Sequence, residues 1–184
     1  MIGCGAALAI AKMVLIRRAI PGDEEKALPA ILEFYTEYVE HLKIPFCSDG
    51  VKALSKALTG PQSLSVVAEQ NGVIIGFLAG VVLPWYINPE IIAFEEAAWF
   101  VEKIHRDSSI GARLYRESMK LCREAGVKLV FCGVYSGGPE ALKMFYERNG
   151  YREVETRWLK FLQPEDPHDG QSPETRSING ASTC

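Results

Sequence analysis

The residues with most chemical potential sit in one run, His105-Arg106-Asp107-Ser108-Ser109-Ile110-Gly111-Ala112-Arg113-Leu114. An apolar stretch over 91–101 leads into it, and an amphipathic stretch over 110–124 leaves it. The first turn of a helix has backbone N–H groups without intrahelical partners, and the helix dipole adds partial positive charge there. Small residues opening a helix therefore make a site for anions, phosphates above all. Asp107 works against an anion; Lys103, His105, Arg106 and Arg113 offset it. Next to the turn, Glu95 and Glu96 interrupt the apolar stretch. A carboxylate among apolar groups is expected to hold its proton more tightly and can serve as a general base. Neighbouring strand residues face opposite sides, so only one of the two faces a given cleft unless a bulge intervenes. A solvated pair at a strand edge, or one member of a surface salt bridge, is the alternative.

These groups need a scaffold, and the sequence pattern supplies one. Residues 14–20 are β-branched and loosely alternating, which predicts a strand. Pro21-Gly22-Asp23 breaks it and opens a helix running to about His41, with Leu28, Ile31, Leu32, Tyr35, Tyr38 and Val39 at helical spacing. Asp49 reads as the N-cap of a second helix over 50–58, stopped by Gly60-Pro61. Residues 63–69 and 73–83 form a hairpin around Asn71-Gly72, a type I′ signal, and Pro84 ends it. A long strand is predicted over 91–104, bulged near Glu95-Glu96. The helix over 110–124 stops at Gly126, and the nearly continuous apolar run 127–135 predicts a central strand. A short helix over 140–148 follows Pro139, and alternation over 151–162 predicts a last strand. The order β-α-α-β-β-β-α-β-α-β gives an α/β (α+β) fold: a mixed, mostly antiparallel central sheet with helices on both faces.

The bulk properties narrow the class. A chain of 184 residues suits one domain, expected over 13–162. The apolar residues 1–12 read either as an extension ahead of Met13 or as a short helix packed on the domain. The polar, proline-containing residues 163–184 are expected to be a disordered tail. A net charge of −3 counts against a general nucleic-acid binder. The five cysteines, Cys4, Cys47, Cys122, Cys132 and Cys184, show no metal-ligand spacing, so no metal is expected. Such an odd, scattered set reads as reduced thiols in a cytoplasmic protein. No run is long enough to span a bilayer, so no membrane partner is expected. The oligomeric state is open, a homodimer included.

Two motifs and the element order together make the chain resemble the GNAT (Gcn5-related N-acetyltransferase) superfamily over about Val14 to Leu162. The family's turn, Arg/Gln-x-x-Gly-x-Gly/Ala, reads here Arg106-Asp107-Ser108-Ser109-Ile110-Gly111. The family's aromatic followed by a Gly-aromatic pair reads Phe145-Tyr146-Glu147-Arg148-Asn149-Gly150-Tyr151. Ser109 stands where the family has its first glycine. Glycine lets the backbone approach a pyrophosphate; serine narrows that approach and adds a hydroxyl donor.

The resemblance implies an N-acetyltransferase that uses acetyl-CoA, or another acyl-CoA, as cosubstrate and acts on a primary amine of a small molecule or protein. It implies direct transfer in a ternary complex. The backbone of Arg106, Asp107, Ser108, Ser109, Ile110, Gly111 and Ala112 would grip the pyrophosphate. Main-chain groups of Trp99 and Val101 would pair with the pantetheine arm. Tyr146 matches the family tyrosine whose hydroxyl lies near the CoA sulfur; a phenol, with a reference pKa of about 10, can protonate the leaving thiolate. In some members a glutamate stands six positions before the residue matching Val101, which points to Glu95, with Glu96 its neighbour.

The acceptor site is expected among residues 41–49, 84–90 and 152–158, with Phe46, Trp85, Tyr86 and Trp158 as pocket walls. Glu37, Glu40, Asp49, Glu90, Glu95 and Glu96 would form an acidic rim. Two rival readings remain: a weak or inactive GNAT-fold module that binds CoA or a partner, and an acyltransferase that modifies a nucleic acid or tRNA.

Overall fold

The computed structural model describes residues 13–106, 108–135 and 138–162. The expectations for 1–12, Asp107 and 163–184 lie outside the described residues. The chain divides into two units, Met1–Phe145 and Tyr146–Cys184.

In the first unit a five-stranded sheet runs in the order β1 (Leu15–Arg18), β2 (Ser63–Gln70), β3 (Val73–Trp85), β4 (Asn88–Val101), β5 (Leu129–Phe131). The first three neighbour pairs are antiparallel and β4–β5 is parallel. This is the mixed, mostly antiparallel sheet that the sequence implies. Asn71 and Gly72 both take positive φ, 54° and 81°, as a type I′ turn between β2 and β3 requires.

Helices cover both faces. Helix α1 (Asp23–Tyr38) buries Ala27 and Ala30 against Val67, Ile74, Phe77 and Phe100. A short helix, α2 (Ser48–Ala57), packs beside it. On the opposite face α3 (Ile110–Glu124) sets Ile110, Leu114 and Cys122 against Val66, Leu78 and Phe94. Below α1, Arg17 donates to both oxygens of Asp23, at 2.6 and 2.8 Å, and to Glu69, tying β1, β2 and the start of α1. A last helix, α4 (Glu140–Arg148), contains the division between the units.

Several local expectations change. Cys47, not Asp49, is the N-cap of α2: its Sγ accepts the Gly50 N–H at 3.4 Å, and Asp49 sits inside the first turn. Pro84 does not end β3, because the register shifts at Pro84/Trp85 and the ladder needs no N–H from proline there. The predicted central strand over 127–135 shrinks to the three residues of β5, at the sheet edge among the described residues. Its apolar run divides instead: Val127 and Val130 pack against the core, and Gly133, Val134 and Tyr135 line a cavity.

The second unit carries the end of α4 and the segment to residue 162. No strand forms over 151–162, so the last strand of the expected order is absent among the described residues. Alternation marks two unlike faces, but a strand also needs a ladder partner. Here Val154, Trp158 and Leu162 stay 74, 93 and 75% exposed.

Candidate active site

A bulge decides what β4 presents. Ala79 pairs with Ala98 and Gly80 with Glu96, so Ala97 is the extra residue. A bulge bends its strand and re-aims the side chains around it. On the other side of β4, the parallel ladder to β5 covers only Ala93–Glu95, opposite Leu129–Phe131. From Glu96 onward the two strands part, and a cavity of about 360 Å³ opens there. One wall carries Glu96, Trp99, Phe100 and Val101; the other carries Gly133, Val134 and Tyr135.

Thus Glu96 lines the cavity, while Glu95 sits in the ladder between Val81 and Phe131. The Glu96 charge reaches the Tyr135 phenol: burial first, and then that charge, raise the Tyr135 pKa above its ordinary value.

Main-chain direction follows from the ladder. Glu102 N–H donates to Ile75 O at 3.0 Å, so Glu102 faces β3. By strand alternation the N–H and C=O groups of Val101 and Trp99 face the opposite edge, toward the cavity. The Val101 carbonyl accepts Arg106 Nε there at 2.8 Å.

The turn closes one end of the cavity through Arg106, Ser108, Gly111 and Ala112. Ser109 is the N-cap of α3 with φ −78° and ψ 7°, a conformation any L-residue adopts, and its side chain makes no capping bond. Serine in place of glycine therefore causes no backbone strain at this position. Ser108 Oγ lies 3.3 Å from the Ile110 N–H. The first N–H groups of α3 and the dipole behind them fit a phosphate group.

The basic side chains of the turn do less for an anion than their charges imply. Arg106 is held by Glu37 at 2.7 and 2.6 Å. Arg113 donates to Val14 O at 2.8 Å. His105 Nε2 lies 3.8 Å from Glu102. Three of the basic side chains, Arg106, Arg113 and His105, thus have partners within the protein.

Aromatic rings form the rest of the site, and here the expected acceptor walls change. Phe34 and Tyr38 of α1 meet Tyr135 with ring centroids 5.4 and 6.2 Å apart. Phe145 packs edge-on to Trp99 at 5.3 Å and to Tyr115 at 4.9 Å. Burial and the neighbouring Glu37 push the Tyr38 phenol up to about 12. Phe46 instead lines a separate, smaller groove with Tyr35, whose hydroxyl donates to Ile44 O. Trp85 and Tyr86 pair with each other at 5.9 Å, where β3 turns into β4. His41 is exposed on a short 3₁₀ helix, Glu40–Leu42. The missed residues carry one legible signal: Phe34 and Tyr38 are four apart, on one side of a helix.

Tyr146 opens the second unit. It is 7% exposed, and its ring lies 5.2 Å from that of Tyr151. Main-chain bonds from Asn149 N–H and Tyr151 N–H, at 2.9 and 3.1 Å, both end on the Tyr146 carbonyl and fold the chain back after α4. Among the described residues no group of three or more His, Cys, Asp or Glu side chains could hold a metal ion. No described helix is long and apolar enough to cross a membrane.

A mostly antiparallel sheet whose strands part beside the first turn of a helix, with helices on both faces, is the fold of an acyltransferase-type scaffold. Residues 29–151 match the model of the acetyltransferase (GNAT) family, and the chain belongs to that family. No curated protein matches it by sequence. Among solved structures it is similar to a transcriptional regulator from Bacillus halodurans C-125, at 20% identity and TM-score 0.65, covering 81% of this chain and 100% of that one. It is also similar to the aminoglycoside acetyltransferase meta-AAC0020 from an uncultured soil metagenomic sample, in complex with sisomicin. That match has 21% identity and TM-score 0.64, and covers 82% of this chain and 97% of that one. A third is the aminoglycoside N-acetyltransferase AAC(6')-Iy in complex with CoA, at 16% identity and TM-score 0.63, covering 85% and 99%. At these identities the structures share the fold with this chain.

Proposed function

We propose that this chain transfers an acetyl group from acetyl-CoA to a primary amine of a small molecule or protein, directly and within a ternary complex. The observation that carries the reading is the opening of β4 from β5 beside the α3 turn. It brings the β4 edge at Trp99 and Val101, the first turn of α3 and the Glu96 carboxylate to one cavity, which supports this reading.

In this reading the α3 turn takes the diphosphate, and Trp99 and Val101 pair with the pantetheine arm. Glu96 accepts a proton from the incoming ammonium, directly or through water. The amine nitrogen attacks the thioester carbonyl carbon and the C–S bond breaks; Tyr146 gives its proton to the departing thiolate, and the phenolate recovers one from the nitrogen as the neutral amide forms. The assignment of Glu96 over Glu95 is supported by the bulge at Ala97. A reducing compartment, the cytoplasm, is supported by the odd number of cysteines.

The test is release of free thiol from acetyl-CoA, measured with amines, amino acids, polyamines and peptides side by side. At least one amine is expected to accelerate release. Tyr146→Phe and Glu96→Gln should each lower kcat by about 100-fold, with acetyl-CoA binding kept. An inert panel contradicts the activity. A loss at Glu95→Gln instead of Glu96→Gln moves the base to Glu95.

A further inference from the structure

Helix α1 also holds the turn before α3 through two carboxylates, Glu33 and Glu37, that do not line the cavity. Glu33 and Glu37 are one helical turn apart, so their side chains share a face of α1. Glu33 Oε1 accepts the main-chain N–H of Lys103 at 2.9 Å, just after β4 ends. Glu37 takes the Arg106 guanidinium through both of its oxygens, at 2.7 and 2.6 Å. The third direction of that guanidinium is also used, since Nε donates to Val101 O at 2.8 Å. Its plane lies over the Phe100 ring, 5.1 Å from the centroid. A planar fork held on three sides has one orientation.

Resting on the reading that the turn takes the diphosphate of acetyl-CoA, we infer that Glu33 and Glu37 are positioning residues for that site. They act through the Lys103 main chain and the Arg106 side chain, and Arg106 is a strut between α1 and β4 rather than a phosphate ligand.

The alternative predicts the opposite sign. If Arg106 met phosphate by its charge, neutralising Glu37 would release a cation and remove a nearby anion. Both changes strengthen binding of an anionic ligand. If Arg106 is a strut, neutralising Glu37 loosens the turn, and the amides must be ordered when the ligand binds.

Calorimetric titration of CoA into the full chain separates the two. Glu37→Gln and Arg106→Gln are each expected to weaken CoA binding by about tenfold. The double variant should be about as weak as either single one, because the pair acts as a unit. KM for acetyl-CoA should rise while kcat at saturation holds. Glu33→Gln keeps an oxygen acceptor for the Lys103 N–H and should bind like wild type; Glu33→Ala should bind more weakly. This second pair decides the matter if Glu37→Gln fails to fold. Unchanged or tighter binding by folded Glu37→Gln, or wild-type affinity in Glu33→Ala, overturns the inference alone. Failure of the wild-type chain to bind CoA overturns the cofactor site and this inference with it.

Discussion

Gly80 and Phe94 lie closer than any side chain at Gly80 would allow. A Cβ there would sit 2.4 Å from Phe94 Cζ and 2.3 Å from the Glu95 carbonyl oxygen. Phe94 is fully buried, and Gly80 is the partner of Glu96 at the bulge. The glycine thus lets β3 approach β4 where β4 re-aims its carboxylate.

Gly80→Ala is therefore expected to destabilise the chain by about 3 kcal/mol, through overpacking at backbone that cannot yield. Urea unfolding measures the loss, and any folded fraction should show a lower kcat, because Glu96 moves with the bulge. Stability and turnover like wild type would contradict the role given to this contact.

The Arg17–Asp23 pair predicts an acid limit. Burial pushes the Asp23 carboxyl up, but its hydrogen bonds from Arg17 and from the Ile20 N–H outweigh this and leave it below the usual carboxylate value. A carboxylate depressed in the folded state stabilises the fold above its unfolded pKa of about 4. That contribution is lost as pH falls through the folded value. Stability should hold from neutral pH down to about 5 and then decline. Asp23→Asn should cost about 3 kcal/mol at neutral pH and flatten the acid decline, read by urea unfolding across pH. An equally steep decline in the variant would contradict the assignment.

Ser118 predicts a gain. It is 0% exposed in the middle of α3, and its hydroxyl has no hydrogen-bond partner of good geometry among the described residues. The Cys122 thiol, one turn on, is the group that interacts with it. Ser118→Ala removes a poorly satisfied polar atom and favours helix, so it should stabilise by about 1 kcal/mol. A loss of stability would show that the hydroxyl is satisfied.

Thiol reactivity should divide by burial. Burial pushes the Cys122 thiol up to about 11, while Cys47 is exposed. Site-resolved mass spectrometry after alkylation at mildly alkaline pH should find Cys47 modified in the native chain and Cys122 modified only in urea. Native labelling of Cys122 would contradict its place in the core.

What the sequence discloses, and what it hides, follows one division. Helix α3 and the Asn71-Gly72 turn are legible because local chemistry specifies them: an amphipathic period, small residues at the start, a residue pair that accepts positive φ. The turn at Ser109 is legible for the same reason. The fate of residues 127–135 is not local. An apolar run reads alike whether it is buried in a sheet or walls a cavity, and where the ladder to β4 stops, after Phe131, is set by residues distant in sequence. The bulge is foreshadowed by Glu95-Glu96, but its position at Ala97 depends on Gly80 across the ladder. The segment 151–162 alternates without joining a ladder, because alternation describes faces and says nothing about a partner. The Glu37–Arg106 pair joins residues 69 apart in sequence, beyond any local signal.

The central claim is that the cavity between β4 and β5 takes acetyl-CoA, and a thermal-shift titration tests it most directly. At about 100 times its dissociation constant, a ligand that binds only the folded chain adds about 2.7 kcal/mol, which for a domain of this size raises the melting temperature by about 5–10 °C. The account predicts that rise with acetyl-CoA. A melting temperature that stays flat at every acetyl-CoA concentration would contradict it.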